Sequence, residues 1–312
     1  MKNNCLTLDV SIIIVNYNTK KLLADCLNSI YEQTKDISFE VIVSDNGSKD
    51  GSIEMLKDDF PQVILIENNA NLGFGAANNR GLAIAKGKYI FYLNSDTILL
   101  NNAVKIFFDY WEENGEKERI GALGANLLNN ELKIIHSYGN FIRPKTFINE
   151  LIHTIYGITK LSFQYIFLRR NVEINPSDKI KEEFIGSVEY ITGADLFLKN
   201  DENAKFDENY FMYAEEVDLQ YELDKQNKKR LLIDGPKIIH LEGGSANKTQ
   251  NLIKINGTFS HIYTNISRTY FIKKNTKNIF SVMFVKMLIL MLWCNPFLIK
   301  KTSKYFGKLL SI

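Results

Sequence analysis

Over the first hundred residues, short apolar runs alternate with segments whose apolar positions follow a helical period. Val10-Ser11-Ile12-Ile13-Ile14-Val15 has the length and β-branched content of a buried strand, and Lys20 to Gln33 places Leu22, Leu23, Cys26, Leu27 and Ile30 on one helical face. The same alternation continues with a strand from Phe39 to Ser44, a short helix from Ser52 to Phe60 and a strand from Val63 to Glu67. A helix from Ala76 to Ala85 and a strand from Tyr89 to Leu93 complete it. A βαβαβαβ run predicts an α/β fold with a doubly wound, mostly parallel central sheet. In such a sheet ligands collect outside the carboxyl ends of the strands.

Beyond Asp96 the pattern loosens. It predicts a helix over Ala103 to Glu113 and a strand over Gly121 to Leu128. Residues 137 to 183 are basic and aromatic, with Phe147, Tyr156, Phe163, Tyr165, Phe167, Arg169 and Arg170, and read either as a pair of packed helices or as an excursion that shapes an acceptor site or touches lipid. Regular structure returns at Ser187 to Ala194, Phe197-Leu198, an acidic helix around Glu215, a strand from Arg230 to Ile233 and Lys237 to His240.

Composition adds a basic tail. The formal charge of +2 is the balance of eleven Lys and Arg and no Asp or Glu after Glu242, against a net −9 for residues 1 to 242. The tail also holds the apolar run Ile279 to Trp293, interrupted by Lys286 and followed by Asn295-Pro296. That is too apolar for a nucleic-acid arm, so nucleic acid is excluded as the partner and an anionic membrane surface is expected, contacted by an interfacial rather than a spanning helix. A helix packed on the protein's own core or on a second subunit is the alternative. Cys5, Cys26 and Cys294 have no paired spacing, which fits a reducing compartment without a zinc site or disulfides. No export signal precedes the first strand, so the expected location is the cytoplasmic face of the membrane, peripheral or monotopic.

Three polar loops stand at consecutive strand ends: Asn16-Tyr17-Asn18, Asp45-Asn46-Gly47-Ser48 and Asn94-Ser95-Asp96. Tyr17 offers a ring on which a nucleobase can stack, Asp45 an acceptor for a base N–H, and Asp96 a carboxylate for a divalent metal and, through it, phosphate oxygens. Each loop is also an ordinary turn in its composition. Gly73-Phe74-Gly75-Ala76-Ala77-Asn78 departs from the dinucleotide fingerprint at Asn78 and follows the wrong strand, so nicotinamide binding is not expected. Glu215-Glu216-Val217-Asp218 suits a first helical turn by the helix dipole alone. Glu215 and Asp218 share a face there and Glu216 does not, so one carboxylate can enter a cleft as a general base. His240, before Gly243-Gly244-Ser245, is a competent ligand for manganese.

Taken in order, Val10 to Asn18, Val43 to Gly51, Asn71 to Asn79, Leu93 to Thr97 and Phe211 to Asp218 resemble the family 2 glycosyltransferases, and within them the rhamnosyltransferase-like branch. The resemblance implies a GT-A fold and inverting transfer of a sugar, with dTDP-rhamnose a candidate donor, from a nucleotide diphosphate to a lipid-linked or glycan acceptor, with Mg2+ or Mn2+. It implies that Tyr17 and Asp45 hold the base, with Val15, Asn78, Asn94, Ser95 and Asp96 completing the donor site. Asp96 and His240 would bind the metal and Glu216 would be the base, with Glu215 and Asp218 beside it. Asn94 departs from the family's Asp-x-Asp pattern, and Glu216 stands where aspartate is common. The implied organisation is a catalytic domain over residues 1–245, with 1–100 binding the nucleotide sugar and 101–245 the acceptor, followed by a membrane-associating tail over 246–312. A sugar nucleotidyltransferase and a non-catalytic membrane adaptor on the same fold are the alternatives.

Overall fold

The computed structural model describes residues 8–168, 182–241 and 255–312. Cys5, Arg169, Arg170 and the Gly243-Gly244-Ser245 loop lie outside the described residues.

Two compact units divide these residues. The first takes residues up to Phe141, from 182 to Phe211 and from Glu215 to 241; the second takes Ile142 to 168, Met212–Ala214 and 255 onward. The expected boundary at residue 245 falls outside the described residues; a long helix and a three-residue segment that precede it in the chain cluster with the helices that follow it.

The first unit is built on an eight-stranded sheet. Its strands are β1 (Val10–Asn16), β2 (Phe39–Asp45), β3 (Ile64–Glu67), β4 (Tyr89–Asn94), β6 (Ile120–Gly124), β8 (Gly186–Val188), β10 (Asp195–Lys199) and β11 (Lys229–Leu232), in the order β3-β2-β1-β4-β10-β6-β11-β8. The first four pair in parallel, β10 runs antiparallel to β4 and β6, and β8 runs antiparallel to β11. Two short ladders complete the unit: β5 (Thr97–Leu99) with β12 (Ile238–His240), and β7 (Tyr138–Gly139) with β9 (Tyr190–Ile191). Helices α1 (Lys20–Gln33), α2 (Ser52–Asp59) and α4 (Ala103–Glu118) bury Leu23, Leu27, Leu56, Phe107 and Trp111 against one face of the sheet. Helices α3 (Phe74–Leu82) and α6 (Glu215–Lys225) cover the other face through Phe74, Leu82, Leu219 and Leu223. The register aligns Asn16 with Asp45 and Val15 with Asn94, so the three polar loops do leave one edge of the sheet.

The second unit is helical: α5 (Pro144–Leu168), α7 (Phe259–Thr276), α8 (Ile279–Trp293), α9 (Ile299–Thr302) and α10 (Phe306–Ser311). The described part of 137–183 holds β7 and one long helix, α5, where a pair of packed helices was one of the two readings. A core of Phe147, Leu151, Ile158, Ile262, Ile266, Val285, Ile289 and Trp293 joins α5, α7 and α8. The inner face of α8 is thus a core helix, as the alternative reading of the tail held. Its outer face is apolar too, with Ile279, Phe280, Met283, Phe284, Met287 and Met291 exposed. No helix among the described residues is long and apolar enough to cross a membrane.

Candidate active site

The short β5/β12 ladder brings two candidates from far apart in the chain together. The chain turns at Ser95-Asp96 after β4, and His240 pairs with Thr97 across the ladder while the Leu241 N–H donates to the Asp96 carbonyl at 2.9 Å. His240 Nε2 then lies 3.2 Å from Asp96 Oδ1, with side chains 15% and 19% exposed, and Asn94 Nδ2 lies 3.4 Å from the same nitrogen. His240 Nδ1 is buried without a hydrogen-bond partner among the described residues. Carboxylate and imidazole at this separation fit a hard or borderline divalent cation. No group of three or more His, Cys, Asp or Glu among the described residues could hold one, so further positions would fall to diphosphate oxygens and water.

At the ends of β1 and β2, Asn16 organises the edge. Its amide donates to Asp45 Oδ2 at 2.7 Å and to Ser48 Oγ at 3.0 Å, and its Oδ1 accepts from Thr19 Oγ1 at 2.6 Å. The Thr19 hydroxyl in turn lies 3.0 Å from Ser95 Oγ, which ties the first loop to the third. Asp45 is fully buried, its Oδ1 accepting the N–H groups of Gly47 and Ser48. Its carboxylate therefore shapes its own loop, and a base N–H would share Oδ2 with the Asn16 amide. Tyr17 is 48% exposed and presents an open ring, and Val15 is half-buried beneath the edge. Asn78 is buried and donates to the Phe74 carbonyl, so it faces its own helix.

The glycine loop packs on the approach to α6. Gly73 has φ +90°, and a Cβ there would lie 2.0 Å from the Phe211 carbonyl oxygen, which accepts the Phe74 N–H at 3.0 Å. Only glycine allows this contact. Asn46 donates to the Gly73 carbonyl at 3.1 Å, so the second strand end also braces this loop. Tyr213 and Ala214 both take left-handed backbone, with φ of 69° and 67°, immediately before the helix. That conformation costs about 1–2 kcal/mol per non-glycine residue and persists only where the surroundings hold it.

In the first turn of α6, Glu215 and Asp218 are buried and Glu216 is half-buried. A Cβ at Gly193 would sit 3.7 Å from Glu216 Cβ, and the next residue, Ala194, accepts the Asn94 N–H at 3.0 Å. Glu216 thus stands beside bare backbone that leads directly to the Asn94 end of β4. Burial raises its carboxyl above the usual value, with the N–H groups of Glu216 and Val217 opposing the shift. Gln220 fixes the helix by a paired exchange with the N–H and carbonyl of Ile191, at 2.8 and 2.7 Å.

Asp195 escaped the sequence reading, because one acid at the head of the apolar run Leu196-Phe197-Leu198 looks like a turn residue. It is fully buried, opposite Leu93 on β4. Its Oδ2 accepts the Ala125 N–H at 2.7 Å, and its Oδ1 has no partner among the described residues. Burial pushes its carboxyl well above the ordinary range. Asn16, named only as part of a turn triplet, also proves central. Its place one residue beyond an apolar strand was the available signal.

The family model described as glycosyl transferase family 2 matches residues 11–167, half of the chain. The chain belongs to glycosyl transferase family 2. This member is similar to the poly(ribitol-phosphate) beta-glucosyltransferase of Bacillus spizizenii, 34% identical over 119 residues, which are 36% of this chain and 19% of that one. It is also similar to the Escherichia coli protein WfaP, a UDP-Glc:alpha-D-GlcNAc-diphosphoundecaprenol beta-1,3-glucosyltransferase, 33% identical over 142 residues, 45% of this chain and 48% of that one. The chain spans between 19% and 58% of the length of the first curated relatives it matches. Among solved structures, the mannosyltransferase PcManGT from Pyrobaculum calidifontis in complex with GDP-Man and Mn2+ has a TM-score of 0.53 at 14% identity, covering 97% of this chain and 75% of that one. The fold of this family 2 member is GT-A.

Proposed function

We propose that this family 2 member is an inverting glycosyltransferase that moves a sugar from a nucleotide-diphosphate donor to a hydroxyl of a lipid-linked or polysaccharide acceptor in cell-surface glycan synthesis. The observation that carries this reading is the Asp96–His240 pair at the end of β4, with Glu216 beside the Gly193-Ala194 backbone that adjoins the same strand end. Asp96 and His240 would hold Mg2+ or Mn2+, which when bound supplies positive charge against the departing diphosphate.

The chain's own groups do the rest. Tyr17 stacks on the base, and Asn16, Asp45 and Ser48 hold the loop beside it in one shape. Ionised Glu216 takes the proton of the acceptor hydroxyl. That oxygen forms the new bond to the anomeric carbon as the carbon–oxygen bond to the diphosphate breaks on the opposite face. Glu215 and Asp218, buried in the same turn, keep the helix start in place. No covalent glycosyl-enzyme is needed.

The relatives' names support a diphosphate-activated sugar and a polyol or lipid-diphosphate acceptor. UDP-glucose, named for WfaP, and dTDP-rhamnose, suggested by the motif order, are the first donors to test. The exposed apolar face of α8 and the lysines that follow support a peripheral place on the cytoplasmic face of the membrane.

The test is diphosphate release from a panel of nucleotide sugars with and without chelator. We expect metal-dependent release that Asp96→Ala lowers at least about a hundredfold, and a smaller loss for Asn94→Ala. Full activity in Asp96→Ala, or activity indifferent to a chelator, overturns the metal assignment.

A further inference from the structure

Met212–Ala214 clusters with the helical second unit although the chain on both sides belongs to the sheet unit. One hydrogen bond within the second unit stands out there: Ser267 Oγ, buried on α7, donates to the Met212 carbonyl at 2.8 Å. Three threonines of the same helix behave differently. Thr264, Thr269 and Thr276 donate to the carbonyls of Ser260, Asn265 and Ile272, each four residues back in their own helix. Ser267 alone of these four is turned outward onto a distant backbone oxygen.

The residue it holds precedes the left-handed pair Tyr213-Ala214, and that pair delivers the chain into Glu215 and Glu216. The preceding carbonyl, of Phe211, is held separately by the Phe74 N–H. Two successive carbonyls are therefore gripped, one by the glycine loop and one by α7, and the unfavourable backbone step follows directly. Such a step persists where its surroundings over-determine it.

We propose that Ser267 is a positioning residue for the catalytic carboxylate: by holding the Met212 carbonyl it fixes the Tyr213-Ala214 step and so the direction in which the first turn of α6 presents Glu216. The proposal rests on the assignment of Glu216 as the base. It gives the C-terminal helices a part in turnover separate from any membrane contact.

The test uses the intact chain with Ser267→Ala and Ser267→Thr. Loss of one such hydrogen bond should speed amide exchange about fivefold in a peptide covering residues 211–218, with the peptide covering 74–82 unchanged. In turnover, Ser267→Ala should lower kcat about tenfold while the donor KM and melting temperature hold, because displacement of a reacting group affects chemistry before binding. Ser267→Thr, which keeps the hydroxyl, should restore both readouts. Unchanged exchange at 211–218 overturns the proposal, as does a loss of kcat that is matched by a fall in melting temperature. If the wild-type protein uses no nucleotide sugar, the glycosyl-transfer reading fails on its own, and the exchange experiment still decides whether Ser267 holds this backbone.

Discussion

Glu216 differs from the acids beside it in exposure, and a base must be reachable. Because burial raises its carboxyl above the ordinary 4.5, the acid limb of kcat should lie above that value, with turnover rising as pH passes through the raised pKa and Glu216 ionises. Glu216→Gln should remove that limb and lower kcat at least about a hundredfold while donor binding persists. If Glu215→Gln is inactive and Glu216→Gln is not, the base is the neighbouring residue. Asp195 shows the same physics at a fully buried position. Its folded-state pKa lies above its unfolded value of 3.8, so the folded protein holds the proton more tightly, and stability falls as pH rises from the unfolded value through the folded one. Asp195→Asn keeps an oxygen for the Ala125 N–H and cannot ionise. Its melting temperature should exceed that of the wild type at pH 8, with the difference shrinking toward pH 4. A lower melting temperature for Asp195→Asn at pH 8 would mean that the ionised form is stabilised by a contact yet to be found.

At the scale of elements, legibility followed locality. Strands β1, β2 and β4 were readable because strands buried on both faces are continuous apolar runs, and the residues that end them were readable as one polar edge of the sheet. Helix α3 was expected at Ala76 and starts at Phe74, because Gly73-Phe74-Gly75 reads as loop until Phe74 is seen packing on the α6 side of the sheet. The regular segment expected from Ser187 to Ala194 takes part in two ladders, β8 pairing with β11 and β9 with β7, and that division leaves no periodic trace. Nor did any local pattern show that β12 would seat His240 against Asp96. Gly73 tests how firmly these elements are joined. Gly73→Ala adds a strained φ of about 1–3 kcal/mol and an overlap with the Phe211 carbonyl of about 1–3 kcal/mol, so urea unfolding should show a loss of about 2–6 kcal/mol. Gly307→Ala, in helix α10 with open space around its added methyl, should be neutral or stabilise by up to about 1 kcal/mol. A Gly73→Ala protein as stable as the control would mean that the loop and the Phe211 backbone separate at little cost.

For the whole molecule, the open matter is what the outer face of α8 meets. Deleting the tail cannot answer it, because Val285, Ile289 and Trp293 on the inner face are the core of the second unit and their loss would expose α5 and α7. The described residues after 254 carry nine Lys or Arg and no acid, while Phe280 is 80% exposed and Met283 62%. Each cation near an anionic surface contributes about 1 kcal/mol, so several lysines with a shallow apolar face suffice for reversible attachment without a span. The intact protein should therefore cosediment with vesicles containing anionic phospholipid, remain in solution with neutral ones, and be released by high salt. Replacing Phe280, Met283 and Met287 each by Glu removes apolar contact and adds repulsion on the exposed face alone. This variant should keep its melting temperature and its turnover of a soluble acceptor, yet lose vesicle binding and most transfer to a lipid-linked acceptor. If the intact protein ignores anionic vesicles, or the triple variant binds them as well as the wild type, the outer face serves something other than a membrane and the peripheral location falls, while the catalytic assignment at Asp96, His240 and Glu216 is untouched.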